Sequence, residues 1–397
     1  MFQKIIQGIK KYGIDYVLDR GIRVVLKLVT SHFKLKDVII IESHNDFDCN
    51  GGAFYDYLIE NNYNKRYRIV WLLKNKKPEK LPKNVYAYYI QKPSWSKNYY
   101  LCLARYLLSD CYITNKIRKD QISIYCTHGG CTFKNVKGNL VVPESVDYVL
   151  SPSETFDPFT CSNFSIPYPN TKMLHIGFPS DDKLFNTKEN EFKKITEKEF
   201  KKYILWMPTF RKGGGIGRND SEIELPMGVP LIENKNQLDW LNTLLSENNC
   251  LLVIKIHPMQ DPETIKELHN KSNIIVLDGK SVKELNVDNY RLMASAHAFL
   301  SDYSSASYAY LQLNRPIGFV LSDMRYYKLG FSVDNIFDFM PGKWIYSIDD
   351  LVAFIKSVIN DEDDYEKQRV ELRDWIYEYA DGNSCRRLAE FMNLANS

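Results

Sequence analysis

The sequence predicts an α/β protein of two domains, and three observations carry that expectation. Short runs rich in Ile, Val and Leu recur between longer amphipathic segments: VIIIES, YRIVWLL, YLLSDCYIT, ISIYCTHGG, YVLSPS, YILWMPTF, LLVIKIHP, NIIVLDG, AFLSDYSS and IGFVLSD. Continuous apolar runs of this length indicate strands buried on both faces, hence parallel βαβ units. The chain has 397 residues, too many for one ordinary core, and its 44% hydrophobic content can fill two. Nearly every run stops at small, polar or imidazole residues, and open parallel sheets bind ligands beyond the carboxyl ends of their strands.

The N-terminal segment, residues 1–36, is basic and amphipathic. Lys4, Lys10, Lys11, Arg20, Arg23, Lys27, Lys34 and Lys36 stand against Asp15 and Asp19, with Ile5, Ile6, Ile9, Tyr12, Ile14, Val17, Leu18 and Ile22 near helical spacing. Such a helix can lie in the headgroups of an anionic membrane or pack on its own domain with a solvated basic face. No apolar stretch reaches the length needed to span a bilayer, and the start lacks the pattern of a signal peptide. The eight cysteines form no CxxC pair and no metal-ligand spacing, which suits reduced thiols. The expected location is therefore cytoplasmic, peripheral on the inner face of the cell membrane. A net charge of +3 with 25% charged residues implies no broad polyanion surface, so nucleic acid is not an expected partner.

The first Rossmann-like domain is expected over residues 37–182. Asp46 and Asp48 in NDFDCN form a DxD, read either as a metal-nucleotide motif or as a polar loop. IYCTHGGCTFK places His128 at a strand tip before Gly129 and Gly130, where a glycine pair lets the backbone turn sharply and offer its amides to an anion. Charged residues dominate NTKENEFKKITEKEFKK, so 183–200 reads as a linker or surface helix.

A second Rossmann-like domain is expected over 201–370. PTFR carries Thr209 and Arg211 past a strand, and GGGIG after it reads as a loop, with no dinucleotide fingerprint. VIKIHP brings Lys255 and His257 to one strand end, stopped by Pro258. SDYSS places Asp302, Ser304 and Ser305 at a helix start, as a phosphate cradle or as ordinary N-capping. The acidic run NDEDDYE reads as solvated, and residues 371–397 as a final helix that can cross back to the first domain.

Four strand-end sites in the order THGG, PTFR, KIHP and SDYSS resemble the CDP-glycerol glycerophosphotransferases of teichoic acid synthesis, the TagB/TagF-like enzymes. Their motifs run approximately HGTPLK, PTWR, KxHP and TDYSS. ESHNDFDCNGGAFYDYLIEN, IGFPSDDKLF, LGFSVDNIFDFMPGKW and YADGNSCRRLAEFM match further family segments in collinear order over about residues 37–395. The chain departs from the pattern at Gly130, Cys131 and Ala309, and at Phe210 in place of tryptophan.

The resemblance implies a GT-B-like architecture of two Rossmann-like domains facing across a cleft. It also implies transfer of an alditol phosphate, most simply glycerol phosphate, from its CDP-activated form to an acceptor hydroxyl with release of CMP. His128 would be the general base. His257, the second catalytic position, would hold the phosphates with Arg211 and Lys255, while Thr209, Ser304, Ser305, Gly129 and Gly130 add hydrogen bonds and Asp302 orients a neighbour or binds glycerol. No cofactor is required, with room for a weakly held magnesium. The partners implied are CDP-glycerol or another CDP-alditol, a lipid-linked or polymeric glycan acceptor, and an anionic membrane surface. Two alternatives share the architecture: a glycosyltransferase using a nucleotide sugar, and an inactive membrane-associated carbohydrate-binding homologue.

Overall fold

The computed structural model describes residues 13–128, 130–138, 140–213, 219–221 and 223–395. The first sheet comprises β1 (Lys36–Glu42), β2 (Arg68–Leu73), β3 (Val85–Tyr89), β4 (Ala104–Ser109), β5 (Ile122–Tyr125), β6 (Tyr148–Leu150) and β7 (Met173–Leu174). Its strands run in the order β3-β2-β1-β4-β5-β6-β7, all parallel. The second comprises β8 (Lys202–Trp206), β9 (Cys250–Lys255), β10 (Ile274–Leu277), β11 (Ala298–Ser301), β12 (Ile317–Val320) and β13 (Lys343–Ile345). Here the order is β10-β9-β8-β11-β12-β13, again parallel.

Both are Rossmann-like sheets in the expected GT-B-like pair. Each reverses its winding beside its first strand, between β1 and β4 and between β8 and β11, which is where such folds open a ligand crevice. Every apolar run read as a strand contains one. The edge strands β3, β7 and β13 carry no such run: β3 is the half-buried VYAYY, and the other two are very short.

Of the N-terminal segment, α1 (Ile14–Thr30) is described, whereas Lys4, Lys10, Lys11 and their apolar neighbours lie outside the described residues. Asp15 in its first turn and Lys27 in its last complement the helix dipole. One face is docked. Asp19 is buried and ion-paired to Lys97 at 3.0 Å and Arg23 at 2.9 Å, and it accepts from Asn98 Nδ2 at 2.6 Å and the Ser94 amide at 3.2 Å. Ser94, Lys97 and Asn98 cap or occupy the first turn of α3 (Trp95–Leu103), where α2 denotes Cys49–Glu60, and Arg23 of α1 itself also donates to Asn98 Oδ1 at 2.8 Å. The other face is open: Leu18, Val24, Leu28 and Val29 each keep more than half their surface exposed. Arg23 is thus spent on the docked face and is not among the free basic residues that the sequence suggested.

The stretch 183–200 is not a free linker. Phe192 is wholly buried with its ring 4.8 Å from that of Tyr203, and buried Glu191 accepts from the Asp288 amide at 2.8 Å and pairs with Lys194 at 2.7 Å. Two phenylalanines among many charges were enough to pin it. With α4 as Ser305–Leu311, the last helix, α5 (Ser384–Phe391), packs on the first sheet's side. Asp182 accepts from the Ser384 and Cys385 amides at 2.7 and 2.8 Å, capping α5 from a distant part of the chain. Gly177 has φ of 79°, and a Cβ there would lie 2.4 Å from Ser384 Oγ, so a side chain is excluded twice over. The segments IGFPSDDKLF and DGNSCRRL therefore depend on each other directly.

Asp19→Ala should cost about 3 kcal/mol, because it strands the buried Lys97 ammonium. Lys97→Met added to it should recover most of that loss in thermal unfolding. Equal stability of Asp19→Ala and wild type would show that the network does not hold α1.

Candidate active site

At the first switch point the chain spends its charges on shaping loops. Glu42 ends β1 fully buried, accepting from the Asp110 and Cys111 amides at 3.2 and 3.0 Å across the gap to β4. Lys74 pairs with it at 2.5 Å and also donates to the Ser43 carbonyl and, at 3.1 Å, to that of His44. Asp46 takes the Lys74 and Asn75 amides at 3.0 and 2.8 Å, and Asp48 caps α2 by accepting from the Cys49 amide at 2.7 Å. The DxD carboxylates are therefore committed to backbone, which favours the polar-loop reading. Asp110 accepts from the Gly51 amide at 2.9 Å, and burial pushes its carboxyl well above the usual carboxylate range.

His128 follows Thr127, a β-branched residue at φ 59°, a conformation that has to be held by its surroundings. Asn50 does the holding. Its Nδ2 donates to the Cys126 and Thr127 carbonyls at 2.9 and 3.1 Å, while its Oδ1 accepts from the Ser180 amide and hydroxyl at 3.0 and 2.7 Å. The His128 imidazole is exposed and stacks on that of His44. Burial, then the neighbouring His44, lowers its pKa from 6.5; burial, then Lys74, lowers that of His44.

At the second switch point, Asp302 after β11 accepts from the Thr209 amide and hydroxyl at 2.9 and 2.6 Å, closing the crevice between β8 and β11. Arg211 is buried between carboxylates: Nη1 donates to Asp302 and the Thr209 carbonyl at 2.7 and 2.5 Å, and Nε and Nη2 grip Asp323 at 2.7 and 2.8 Å. Of five N–H donors only one is left without a partner among the described residues. The fork expected to hold phosphate is engaged by these partners and shapes the PTFR loop. Ser304 Oγ accepts from the Ala306 amide as the N-cap of α4, the ordinary capping role, with Ser305 half-buried behind it.

Lys255 differs from all of these. It ends β9 with only 4% of its surface exposed and has no ion pair or hydrogen bond among the described residues. Burial pulls its pKa down to about 8, against the field of Asp48 from the other half of the molecule. His257 lies two residues on, its Nδ1 accepting from the Met259 amide at 3.1 Å and its ring 5.1 Å from that of Phe210. Lys134, from the loop after His128, donates to Thr209 Oγ1 at 3.2 Å and so ties the two strand ends together. Gly130 turns that loop at φ 60°, and Gly129 lies outside the described residues.

Thr209, Arg211 and Asp302 thus form one bonded unit with Lys255 and His257 on the next strand, and His128 belongs to the opposing half. Sequence reasoning missed Asn50, Glu42, Lys74 and Asp323. Asn50 stood in a quoted segment, and Asp323 ended a recognised strand run; Lys74 in a lysine-rich loop carried no signal.

The family model for CDP-glycerol:poly(glycerophosphate) glycerophosphotransferase matches residues 24–394. The chain belongs to that family. It is 27% identical over 339 residues to the teichoic acid glycerol-phosphate primase of Bacillus subtilis, covering 81% of this chain and 78% of that protein. To the teichoic acid poly(glycerol phosphate) polymerase of Bacillus spizizenii it is 23% identical over 388 residues, covering 88% and 90%. The structure of the wall teichoic acid polymerase TagF superposes with a TM-score of 0.72 at 20% identity, over 98% of this chain and 97% of that one, which establishes the shared fold. As a member of this glycerophosphotransferase family the protein is a transferase.

A buried, unpaired lysine weakens the fold. Lys255→Met should stabilise the ligand-free protein at pH 7 by up to about 3 kcal/mol, from a pKa of about 8 against the ordinary 10.5. The unfolded chain binds the proton more tightly, so wild-type stability should rise relative to the variant between about pH 8 and 10.5 and be pH-independent below. Paired melts across that range test this; a variant no more stable at pH 7 would mean that the ammonium is solvated.

Proposed function

We propose that this protein moves glycerol phosphate from CDP-glycerol to an acceptor hydroxyl in teichoic-acid-type polymer synthesis, releasing CMP. One observation carries the assignment of roles: Lys255 is a buried cation at a strand end whose ammonium has no ion pair or hydrogen bond among the described residues, and the field of Asp48 reaches it from the half that holds His128. A pyrophosphate supplies the missing partner. The acceptor oxygen attacks the β-phosphorus as the bond to CMP breaks, and the acceptor proton passes to His128. Lowered from its ordinary pKa, that imidazole is neutral at physiological pH and fit to be a base.

Lys255 and His257 meet the phosphate charge, with the Ser304 and Ser305 hydroxyls as further donors. Arg211, Asp302 and Thr209 keep the β8 loop in place for them. This draws its positive charge from side chains and leaves room for magnesium carried in by the substrate. Relatives named for ribitol phosphate make CDP-ribitol the second donor to try.

With CDP-glycerol and CDP-ribitol offered over a panel of glycan acceptors, CMP release should appear with one of them. His128→Asn should lose roughly 100-fold or more of it with donor binding intact, whereas Lys255→Met should lose donor affinity. His128→Asn turnover within a few-fold of wild type would overturn the base assignment, and UDP-sugar turnover without CMP release would favour the glycosyltransferase alternative.

For location, we infer contact with an anionic bilayer through α1. No helix among the described residues is long and apolar enough to cross a membrane. The open face of α1 instead presents Ile14, Leu18, Val25, Leu28 and Val29 beside exposed Arg20 and Lys27, the composition of an interfacial helix. The protein should sediment with anionic vesicles and less with zwitterionic ones, increasingly salt-sensitive as the basic residues dominate. Leu18, Val25 and Leu28 changed together to serine should release it without lowering the melting temperature. Sedimentation unaffected by that triple change would rule out α1 as the contact.

A further inference from the structure

The loops after β1 and β5 each carry an imidazole, and the two stack over the end of β4 with centroids 5.0 Å apart and planes within 1° of parallel. Stacked rings place no N–H in line with the other ring's nitrogen, so no proton passes between them along a hydrogen bond. The stack does limit charge. Two imidazolium ions at this separation repel, so the pair takes its second proton only at a lower pH than its first. Surrounding groups on every packed element leave that limit in place. Lys74 from the end of β2 opposes protonation of both rings, Glu42 and Asp48 of the β1 loop favour it at His44, and Glu42 with the Asp110 backbone favours it at His128.

We propose that His44 is a positioning and proton-holding partner of His128: while the pair carries a single proton, each molecule with that proton on His44 keeps a neutral His128 ready to act as base. This rests on the reading of His128 as the base. A solitary histidine loses its function on its first protonation, whereas the pair loses it fully only on the second. The acid side of the rate profile is therefore stretched. His44 lies among residues that otherwise shape the β1 loop. Its carbonyl is held by Lys74, so the ring is presented from a fixed backbone.

The test is the pH dependence of kcat for CMP release in wild type, His44→Asn and His44→Phe, alongside NMR titration of His128 in selectively labelled protein. Wild type should show an acidic limb broader than a one-proton curve. Both variants should collapse to a one-proton limb displaced upward by about half to one pH unit. One unit below the wild-type midpoint they should then be roughly 3- to 10-fold slower than wild type, a comparison made after normalising each to its alkaline plateau. His44→Phe, which keeps a flat ring against His128, should hold its plateau closer to wild type than His44→Asn. Both side chains are exposed, and if the asparagine variant fails to fold the phenylalanine variant carries the comparison. Limbs that coincide with wild type in the folded variants overturn the proposal. If His128→Asn keeps its turnover, the base reading fails on its own; the NMR arm still decides the shared proton, since a His128 midpoint unmoved by loss of His44 overturns the pairing itself.

Discussion

The loop after His128 starts on the first sheet and finishes inside the second half of the molecule. Phe133 is 1% exposed, with its ring 5.4 Å from both Phe156 and Phe159 on one side and 5.0 and 4.3 Å from Tyr308 and Phe339 on the other. Lys134 bridges to Phe331, the Asn135 amide donates to the Gly330 carbonyl at 3.0 Å, and the Ser332 amide to that of Phe133 at 2.8 Å. Burying an aromatic side chain of this size is worth about 2 to 3 kcal/mol, so separating the sheets at this point exposes it at that cost. The distance between His128 and the second sheet's strand ends is consequently a packing quantity, set a few residues beyond the histidine.

The two switch points treat charge in opposite ways. At the first, Glu42, Lys74, Asp46 and Asp48 neutralise one another or backbone groups, beside two exposed, stacked imidazoles. At the second, Asp302 and Asp323 absorb Arg211, and the Lys255 ammonium is left without an ion pair or hydrogen bond among the described residues. A buried charge left so lowers stability, and its retention makes sense only if an anion arrives to meet it. In the transfer proposed above these groups would serve as base on one side and cation on the other, the division of labour that an in-line phosphoryl displacement needs.

Helix α1 resolves a choice that looked exclusive. Its Asp19 face is fastened to α3 by a buried ionic network, and its opposite face is apolar and open. Packing on the domain and lying on a membrane use different sides of one cylinder. The docked face decides the angle at which the open face is presented.

Much of this was legible in the order of residues. Parallel strands buried on both faces must be continuously apolar, so their number and sequence could be read directly, as could the residues at their carboxyl ends. His128, Lys255, His257 and Asp302 were expected at or just past strand ends for that reason, and they stand there. Strands β3, β7 and β13 were not, because edge strands are short or half-solvated and need no apolar run. Nor could the sequence tell a free guanidinium from a spent one: Arg211 looked like a phosphate clamp until Asp323, more than a hundred residues later, took its fork. Local pattern determines which side chains reach the cleft, since periodicity and strand length are properties of neighbouring residues. Which of them remain available there is decided only by tertiary structure, because a charge is satisfied by whichever group the fold brings within about 3 Å, at any distance along the chain.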